Sequence, residues 1–488
     1  MARSVRGRGA EDDVGEDERQ GGVRRVELSL DLDDGDRSPV PALPVPGVLR
    51  ILLLCNYDPF NAATVCDHIN AFVRYSRHEV VVLSRVGGLP ADVDLDAFDV
   101  VVVHYSLFIA LETYVPPRVK RALARSRALK VLFVQDEYRF VDRTIDAIRE
   151  SGVSLVFSCV PSEEIGRVYD PERLPGVTVV NTLTGYVPFA LTQYGARPLG
   201  ERDVDVGYRG REYPAWHGSA GLEKVVIGRR FLKDARRYDL RCDIRWDERS
   251  RLYGAQWIAF IQRCRAVLAV ESGASVFDFE GRIGPRTEAY ADLTTPRPGL
   301  LDRLLGRDDE AERERRYVAM RERFFADQEN RIDLSQLSPR VFEAAALRTL
   351  LVMYEGRYSG VFEPWRHYVP LKKDHSNMEE VVAAVRDDGR VAEIVAEAYA
   401  EIAMNPALSY ASFIGRFDDM VDDHAGERDA GGLESWSRFD SEAFEDEHPF
   451  YLIENPHGLA RPKARRQLLR LLRHVPGMGR LRDLVRAR

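Results

Sequence analysis

The 488-residue chain lacks features that would place it in a membrane or build it around metal or disulfide bonds. No uncharged run reaches about 18 residues, the length that a membrane-spanning helix needs, and we expect no such helix. The cysteines are dispersed without a C-x-x-C pair, which argues against a disulfide framework or a zinc site and favours reduced thiols in a cytoplasmic protein. There are five of them: Cys55, Cys66, Cys159, Cys242 and Cys264.

Further absences narrow the function. No G-x-G-x-x-G follows the first predicted strand, where the sequence from Asn56 to Asn61 is N-Y-D-P-F-N, and this argues against an NAD-type dinucleotide site. The formal net charge of −8 gives no overall attraction to nucleic acid, so we expect no nucleic-acid partner. An Asp-x-Asp sequence occurs at residues 203–205, but it lies at the start of a predicted strand. We therefore expect no metal site and no cofactor.

Composition and hydrophobic pattern divide the chain into four parts. Residues 1–48 are rich in Arg, Asp, Glu and Gly and predict a disordered tail. Residues 49–200 and 201–424 each alternate apolar strands with helical segments, which is the pattern of a parallel βαβ domain. We expect an insertion with a charged helix at 282–332. Residues 425–488 form the last part, which is first acidic and then basic.

The strands that define these two domains are short apolar runs. The run from Val48 to Cys55 is almost continuously apolar, as is typical of a strand buried on both faces. Further strands are predicted in both series at residues 79–84, 99–104, 129–135, 154–158, 204–208, 240–246, 266–271, 350–354 and 367–373. The predicted fold class is α/β, with two Rossmann-like parallel-sheet domains in tandem.

A motif near the end of the second domain carries most of the functional information. Ser338–Ala346 predicts a helix that begins at a Ser-Pro pair, and a strand at Leu350–Tyr354 and a Gly-containing loop follow. The run resembles the donor-binding half of GT-B glycosyltransferases, and in particular the CgeB-like, spore-protein glycosyltransferase-like group. In that group the helix glutamate holds the ribose of a sugar nucleotide, so the resemblance implies this role for Glu343.

Basic residues at the start of the second domain are candidates for binding phosphate. Arg209 and Arg211 follow a predicted strand, at the sheet edge where ligands gather in open α/β folds, and Lys224 lies about two turns into the next helix. Two guanidinium groups and an ammonium group that converge on a cleft would neutralise a diphosphate. The order of these residues is similar to that of the same group. The alternative interpretation is ordinary surface charge.

The resemblance implies four further donor-binding residues, in the motif helix and in the loop after its strand: Arg340, Tyr358, Ser359 and Gly360. Backbone N–H groups of that loop can point at a phosphate or a sugar hydroxyl. Two positions depart from the pattern: Ser335 stands where many retaining GT-B enzymes have a glutamate, and Arg348 stands where the helix usually ends in glycine. Inversion or retention at the sugar is therefore not implied.

Candidates for the catalytic base follow strand ends of the first domain, on the face expected to line the acceptor cleft. They are His104, Asp136 and Glu137. An inverting transferase needs one carboxylate or histidine to take the proton of the acceptor hydroxyl. Asp278, in a loop of the second domain that matches the pattern of the group, is a fourth candidate, either to contact the sugar or to act as the base. The sequence does not choose among these residues.

The resemblance implies transfer of a sugar from a nucleotide-sugar donor, held by the second domain, to an unidentified acceptor at the first. Two alternatives stay open. One is a nucleotide-sugar epimerase on the same fold. The other is a sugar-nucleotide-binding protein without turnover, which the serine at position 335 favours.

The basic end of the chain has two interpretations. Residues 461–488 carry ten Lys or Arg and one Asp, with interleaved leucines, and Pro476 and Gly477 divide them into two short amphipathic helices. Such a segment suits peripheral association with an anionic membrane, here the inner face. It equally suits packing on the body of the protein or on the acidic residues 427–454.

Overall fold

The computed structural model describes residues 47–58, 62–294 and 310–426, together with Arg24–Arg25 and Tyr451–Leu452. The last two are short strands that pair with each other in antiparallel fashion. The rest of the predicted tail, and the amphipathic helices predicted for residues 461–488, lie outside the described residues. Within the described ranges, no helix is long and apolar enough to cross a membrane.

The first domain is built on a six-stranded parallel sheet with the order β2-β1-β3-β4-β5-β6. Strands β1 to β6 are Arg50–Cys55, Glu79–Ser84, Val100–Val103, Leu129–Phe133, Leu155–Ser158 and Thr178–Asn181. Strands β1, β3, β4 and β5 are buried along their whole length, because helices cover both faces of the sheet. The sequence analysis missed β6, a half-exposed strand at the sheet edge.

Local signals set the ends of the helices in this domain. Pro117 lies in the first turn of the helix Pro117–Arg125, a position that suits proline. Gly152, with φ of 64°, ends the helix Val141–Ser151 in the left-handed conformation that glycine adopts without strain. Helices α1 to α5 are Ala63–Tyr75, Pro117–Arg125, Val141–Ser151, Ile165–Val168 and Phe189–Thr192. Short 3₁₀ turns lie at Leu95–Ala97 and Leu199–Glu201.

The second domain has a five-stranded parallel sheet with the order β11-β10-β9-β7-β8. Strands β7 to β11 are Val204–Arg209, Cys242–Arg245, Cys264–Ala269, Leu350–Tyr354 and Val369–Leu371. The fold class predicted from the sequence, two parallel-sheet α/β domains in tandem, is therefore confirmed.

Eight helices follow the first domain in the described residues. Helices α6 to α13 are Gly218–Ala235, Ala255–Arg263, Ile283–Thr294, Glu310–Phe324, Pro339–Ala346, Met378–Arg386, Asp388–Ala398 and Tyr410–Gly426. A π-helical turn at Tyr399–Ala403 continues α12. The remaining short turns are 3₁₀ segments at Ala215–His217, Glu248–Ser250, Tyr358–Gly360 and Pro406–Leu408.

Two segments of the second half of the chain pack on the first domain. Ile283 and Phe325 of the insertion, and Phe277 just before it, belong to the apolar cluster that covers one face of the first sheet. Helix α13 contributes Phe413 and Phe417 to the cluster on the other face. The carboxyl ends of β4 and β7 consequently meet at the junction between the domains, and the candidate site forms there.

Candidate functional site

An open pocket of about 890 Å³ lies in the second domain, at the carboxyl ends of β7 and β9 and beside the start of α10. Its lining combines aromatic side chains with basic ones, and the carboxylate of Glu271 lies at its rim. The basic residues are Arg209, Arg211, Lys224, Arg251 and Arg340. Five cationic side chains around one concave surface make this a pocket for an anionic ligand with an apolar, planar part.

Three of these cations are held by contacts that leave charge directed at the pocket. One guanidinium N–H of Arg340 donates to the backbone carbonyl of Arg209 at 2.6 Å, and the guanidinium lies over the ring of Trp257 at 5.1 Å. The ammonium of Lys224 donates to the carbonyl of Gly273 at 3.2 Å. Arg211 is exposed beside the ring of Tyr213. Arg211 and Lys224 of the predicted phosphate-binding cluster therefore line one pocket together with Arg340, and their role in donor binding stays a prediction.

Lys224 is the most strongly perturbed of these cations. The pKa of Lys224 is lowered to about 8, chiefly by burial and also by the charges of Arg340 and Arg211, while Asp136 and Glu223 oppose the shift. Its Nζ also lies 4.2 Å from the centre of the Tyr213 ring, whose π face attracts an ammonium group. An anion bound in the pocket would supply the negative charge that this cluster lacks.

Asp136 faces the same cations from the first domain. It follows β4 in the chain, and its side chain is exposed to solvent at the cleft. The protein on either side of the cleft removes water from the carboxylate and raises the pKa of Asp136, while a hydrogen bond from Tyr138 and the charges of Lys224 and Arg211 lower it. Among the four predicted catalytic residues, Asp136 is the one whose charge interacts with two cations of the basic pocket, Lys224 and Arg211, although it is not one of the residues that line this pocket.

The aromatic wall of the pocket includes Trp257 and Phe260 of α7, stacked with 5.6 Å between ring centres. The indole N–H of Trp257 donates to Oε2 of Glu343 at 2.6 Å. Glu343 itself is 3% exposed and lies behind this wall, so in this structure its carboxylate contacts the tryptophan rather than the open pocket.

Arg209 has a different position from the one expected. Its guanidinium is paired with Asp243 at 2.9 Å, donates to the carbonyls of Tyr208 and Asp243, and lies 4.1 Å over the ring of Phe260. The side chain therefore ties β7 to β8 at the floor of the pocket. This favours a supporting role for Arg209, and its binding to phosphate stays a prediction.

Three backbone N–H groups of the loop after β10 are engaged within the domain in this structure. The backbone N–H groups of Arg357 and Tyr358 donate to Glu271 at 3.0 and 2.7 Å, and that of Gly360 donates to the carbonyl of Arg357. The Tyr358 side chain is fully buried, with its hydroxyl on the carbonyl of Tyr354. The expected donor contacts of Tyr358 are thus replaced by contacts within the domain.

Ser359 and Gly360 line a second pocket, of about 830 Å³, between the two domains. Residues 335–338 separate it from the basic pocket. Its other lining residues are mostly hydroxyl and amide side chains, including Ser162, Asn181, Thr182, Ser335 and Gln336. Such a surface suits a hydroxylated ligand, because each group can donate or accept a hydrogen bond.

The other three catalytic candidates are held inside the protein. His104 is fully buried, bonded to His68 at 3.0 Å and to Ser106 at 2.9 Å. Asp278 is 3% exposed, and its carboxylate accepts the N–H groups of residues 282–284 at the start of α8. Neither residue lines the basic pocket in this structure, and their catalytic roles stay predictions.

Glu137 is the remaining candidate, and its carboxylate is fully engaged. It accepts hydrogen bonds at 2.6 Å from the hydroxyls of Ser158 and Tyr169 and from the backbone N–H of Cys159. Burial nevertheless raises the pKa of Glu137 to about 7. Because these bonds join the ends of β4 and β5, Glu137 fixes the loop that carries Asp136 and does not itself reach the cleft.

The sequence analysis missed two residues next to Asp136. The hydroxyl of Tyr138 lies 3.2 Å from Oδ1 of Asp136 and 3.4 Å from Nε2 of His217. Their position just after β4 and just before α6 was a usable signal for Tyr138 and His217, because both places are strand or helix ends at the cleft. Within the described residues, no group of three or more His, Cys, Asp or Glu is arranged to hold a metal ion.

Comparison with known proteins gives likenesses of structure alone. No family model and none of the curated proteins matches the sequence. An alpha-glucosyltransferase in complex with UDP and DNA is 11% identical, with a TM-score of 0.45, over 77% of this chain and 100% of that chain. The DNA-modifying enzyme beta-glucosyltransferase is 11% identical over the same shares, with a TM-score of 0.44. The Anabaena protein HepE in complex with UDP is 11% identical, with a TM-score of 0.41, again over 77% and 100%.

Proposed function

We propose that this protein is a glycosyltransferase that moves a sugar from a nucleotide-sugar donor to the hydroxyl of an acceptor. The observation that carries the proposal is the opposition of charges across the cleft. Arg211, Lys224 and Arg340 surround one pocket of the second domain, and the carboxylate of Asp136 faces them from the first.

The pocket matches the parts of a nucleotide-sugar. The diphosphate would bind the three cations, of which the two arginines can each form paired hydrogen bonds with phosphate oxygens. The nucleoside would lie against the wall that Trp257 and Phe260 form. Glu343 would then support the donor through Trp257, which replaces the direct ribose contact implied by the resemblance.

The chemistry follows from the same placement. Asp136 takes the proton of the acceptor hydroxyl as that oxygen forms a bond to the anomeric carbon, and the bond from this carbon to the diphosphate breaks. The electron pair of the broken bond leaves on the diphosphate oxygen, where Arg211, Lys224 and Arg340 stabilise the added charge. This is a direct displacement and would invert the configuration at the anomeric carbon.

The raised pKa of Asp136 suits this task. A base is most effective when its pKa lies near the working pH, and the protein around the cleft, which removes part of the water from the carboxylate, moves the pKa of Asp136 in that direction. The charges of Lys224 and Arg211 oppose the rise of this pKa.

Calorimetry and a product assay together test the proposal. Titration with UDP, GDP and dTDP should show binding of at least one of them, and the matching nucleotide-sugar with a panel of acceptors should yield free nucleotide. Asp136→Asn should bind the nucleotide normally and lose turnover. Nucleotide binding without nucleotide release would support a sugar-nucleotide-binding protein. Conversion of the donor to its epimer would support an epimerase. Absence of all nucleotide binding would contradict the transferase, the binding protein and the epimerase alike.

A further inference from the structure

Tyr138 lies between a residue of each domain. It follows Asp136 by two positions after β4, and its hydroxyl reaches Oδ1 of Asp136 at 3.2 Å and Nε2 of His217, at the start of α6, at 3.4 Å. Tyr138 is 9% exposed and His217 is 5% exposed, so the link between them is shielded from water. The row Asp136–Tyr138–His217 therefore crosses the cleft beside the basic pocket.

The tautomer of His217 follows from its second contact. Nδ1 lies 3.3 Å from the carbonyl oxygen of Pro214, and a carbonyl can only accept, so the hydrogen of the neutral ring is on Nδ1. Nε2 is then an acceptor. Burial, together with the charges of Lys224 and Arg211, lowers the pKa of His217 to about 3, which keeps the ring neutral.

The ring is held in this orientation by close packing. Trp216 stacks on it with 4.0 Å between ring centres, and Tyr213 meets it edge-on at 4.7 Å. Gly221 lies under it in the first turn of α6, where a Cβ atom would be 2.5 Å from the Cβ of His217. A side chain at that position would displace the histidine, so the glycine allows Nε2 to stay aimed at Tyr138.

The hydroxyl of Tyr138 has one hydrogen, which it can donate either to Asp136 or to His217. While Asp136 is ionised, the hydroxyl donates to the carboxylate, because a charged acceptor makes the stronger bond. Once Asp136 has taken a proton, its own O–H can donate to the oxygen of Tyr138, and the tyrosine hydrogen can turn to Nε2 of His217. The hydroxyl of Tyr138 therefore has a hydrogen-bond partner in both states, and Nε2 of His217 gains its donor in the second state.

We propose that Tyr138 and His217 form a hydroxyl switch that spans the two domains and stabilises Asp136 both before and after it takes the proton of the acceptor. The proposal rests on the proposed function for the base role of Asp136. His217 acts through Tyr138 and is a positioning residue. The proton stays on Asp136 because the neutral imidazole, next to two cations, is a poor place for it.

Other charged groups face this row and stay unchanged in the test. Lys224 of α6 and Arg211 after β7 act on both Asp136 and His217, and Arg139 acts on Tyr138 and His217. Burial raises the pKa of Tyr138 well above its usual value, so Tyr138 does not ionise in the pH range of the experiment. Shifts in the titration of Asp136 between variants therefore report the switch.

Nuclear magnetic resonance of protein labelled with ¹³C at the aspartate carboxyl measures the titration of Asp136, with Asp136→Asn to assign the signal. Tyr138→Phe removes the donor to the carboxylate, so the pKa of Asp136 should rise by about one unit. His217→Phe removes the acceptor that serves the protonated state, so the pKa should fall. His217→Gln offers an amide oxygen in place of Nε2 and should stay close to the native protein.

The opposite directions of the expected pKa shifts of Asp136 distinguish the switch from a merely structural role of Tyr138 and His217. Equal shifts in His217→Phe and His217→Gln, shifts of the same sign in Tyr138→Phe and His217→Phe, or no shift in any variant would overturn it. If His217→Phe does not fold, His217→Met takes its place, since it too lacks a good acceptor at Nε2. The titration needs no turnover, so the expected shifts in a protein that transfers no sugar would uphold the switch and reject the proposed function.

Discussion

The indole N–H of Trp257 donates to Oε2 of Glu343 at 2.6 Å, and this bond joins the pocket wall to the helix of the sequence motif. Trp257 lines the basic pocket, whereas Glu343 is buried behind it. Glu343, for which the resemblance implies direct contact with the ribose, is thus placed to orient a side chain that lines the pocket. Its effect on the donor would pass through the position of the indole ring.

We expect Glu343→Ala to weaken nucleotide binding and to lower the free energy of unfolding by about 1–3 kcal/mol, since it leaves a buried donor of Trp257 unpaired. Glu343→Gln keeps an oxygen for that donor and should lose much less of both. Denaturant unfolding and nucleotide calorimetry on the two variants measure this. Native stability and native nucleotide affinity in Glu343→Ala would show that the bond between Glu343 and Trp257 does not position the indole ring.

The cations at the pocket should each contribute to diphosphate affinity. Arg211→Ala and Lys224→Ala should weaken binding of a nucleoside diphosphate by about 1.5–3 kcal/mol, the scale of a lost charged hydrogen bond. Lys233→Ala is a matched control, because Lys233 lies on the same helix α6 and is exposed away from the pocket. Calorimetry that finds the same affinity in Lys224→Ala and Lys233→Ala would refute the phosphate role.

The lowered pKa of Lys224 predicts how affinity changes with pH. The ammonium form is present below a pKa of about 8 and is lost above it, so diphosphate affinity should fall between pH 7 and 9. Lys224→Arg keeps its charge throughout this range and should flatten the dependence. Titration of both proteins with the same nucleotide at each pH checks this, and parallel curves would contradict it.

Arg209 should prove structural. Arg209→Ala leaves Asp243 without its main partner in a half-buried position and should lower the free energy of unfolding by about 2 kcal/mol, with little change in affinity per folded molecule. Arg245→Ala is the control, since Arg245 lies 3.7 Å from the same carboxylate but is exposed and should cost little. A selective loss of nucleotide affinity in Arg209→Ala, at native stability, would restore it to the binding site.

The raised pKa of Glu137 predicts that the free energy of unfolding depends on pH. Its pKa is raised from 4.5 to about 7 in the folded protein, so its contribution to stability is present below about pH 4.5 and is lost as the pH rises through 7. Glu137→Gln should remove this part of the decline in the free energy of unfolding, and Glu172→Gln, an exposed control, should not. Unfolding curves measured from pH 4.5 to 8 distinguish them, and equal slopes in all three proteins would disprove the buried titration.

The sequence by itself determined the strands and the class of fold. Continuous apolar runs such as those at β1 and β3 can only be buried on both faces, and the helical segments between them require parallel connections. The predicted bounds of β2, 79–84, and of β10, 350–354, agree with the structure. These features depend on residues that are close together in the chain, so a linear pattern contains them.

The sequence also placed Asp136 and Arg211 after strand ends, where ligands gather in open α/β sheets, and the family resemblance pointed to Arg340. It did not decide which way a side chain turns. His104 and Glu137 follow strand ends just as Asp136 does, but their polar atoms form hydrogen bonds with buried side chains. His104 bonds to His68 and Glu137 to Tyr169, and both partners are distant in the chain.

Only the tertiary structure decided how the two halves of the chain meet. Phe413 and Phe417 of α13 come from beyond the second sheet, yet they pack against Phe72 of α1, where the apolar face of the first domain needs covering. The contact of Tyr138 with His217 joins residues 79 positions apart in the same way. Packing of this kind depends on shape and on the burial of whole surfaces, which no local pattern of residues records.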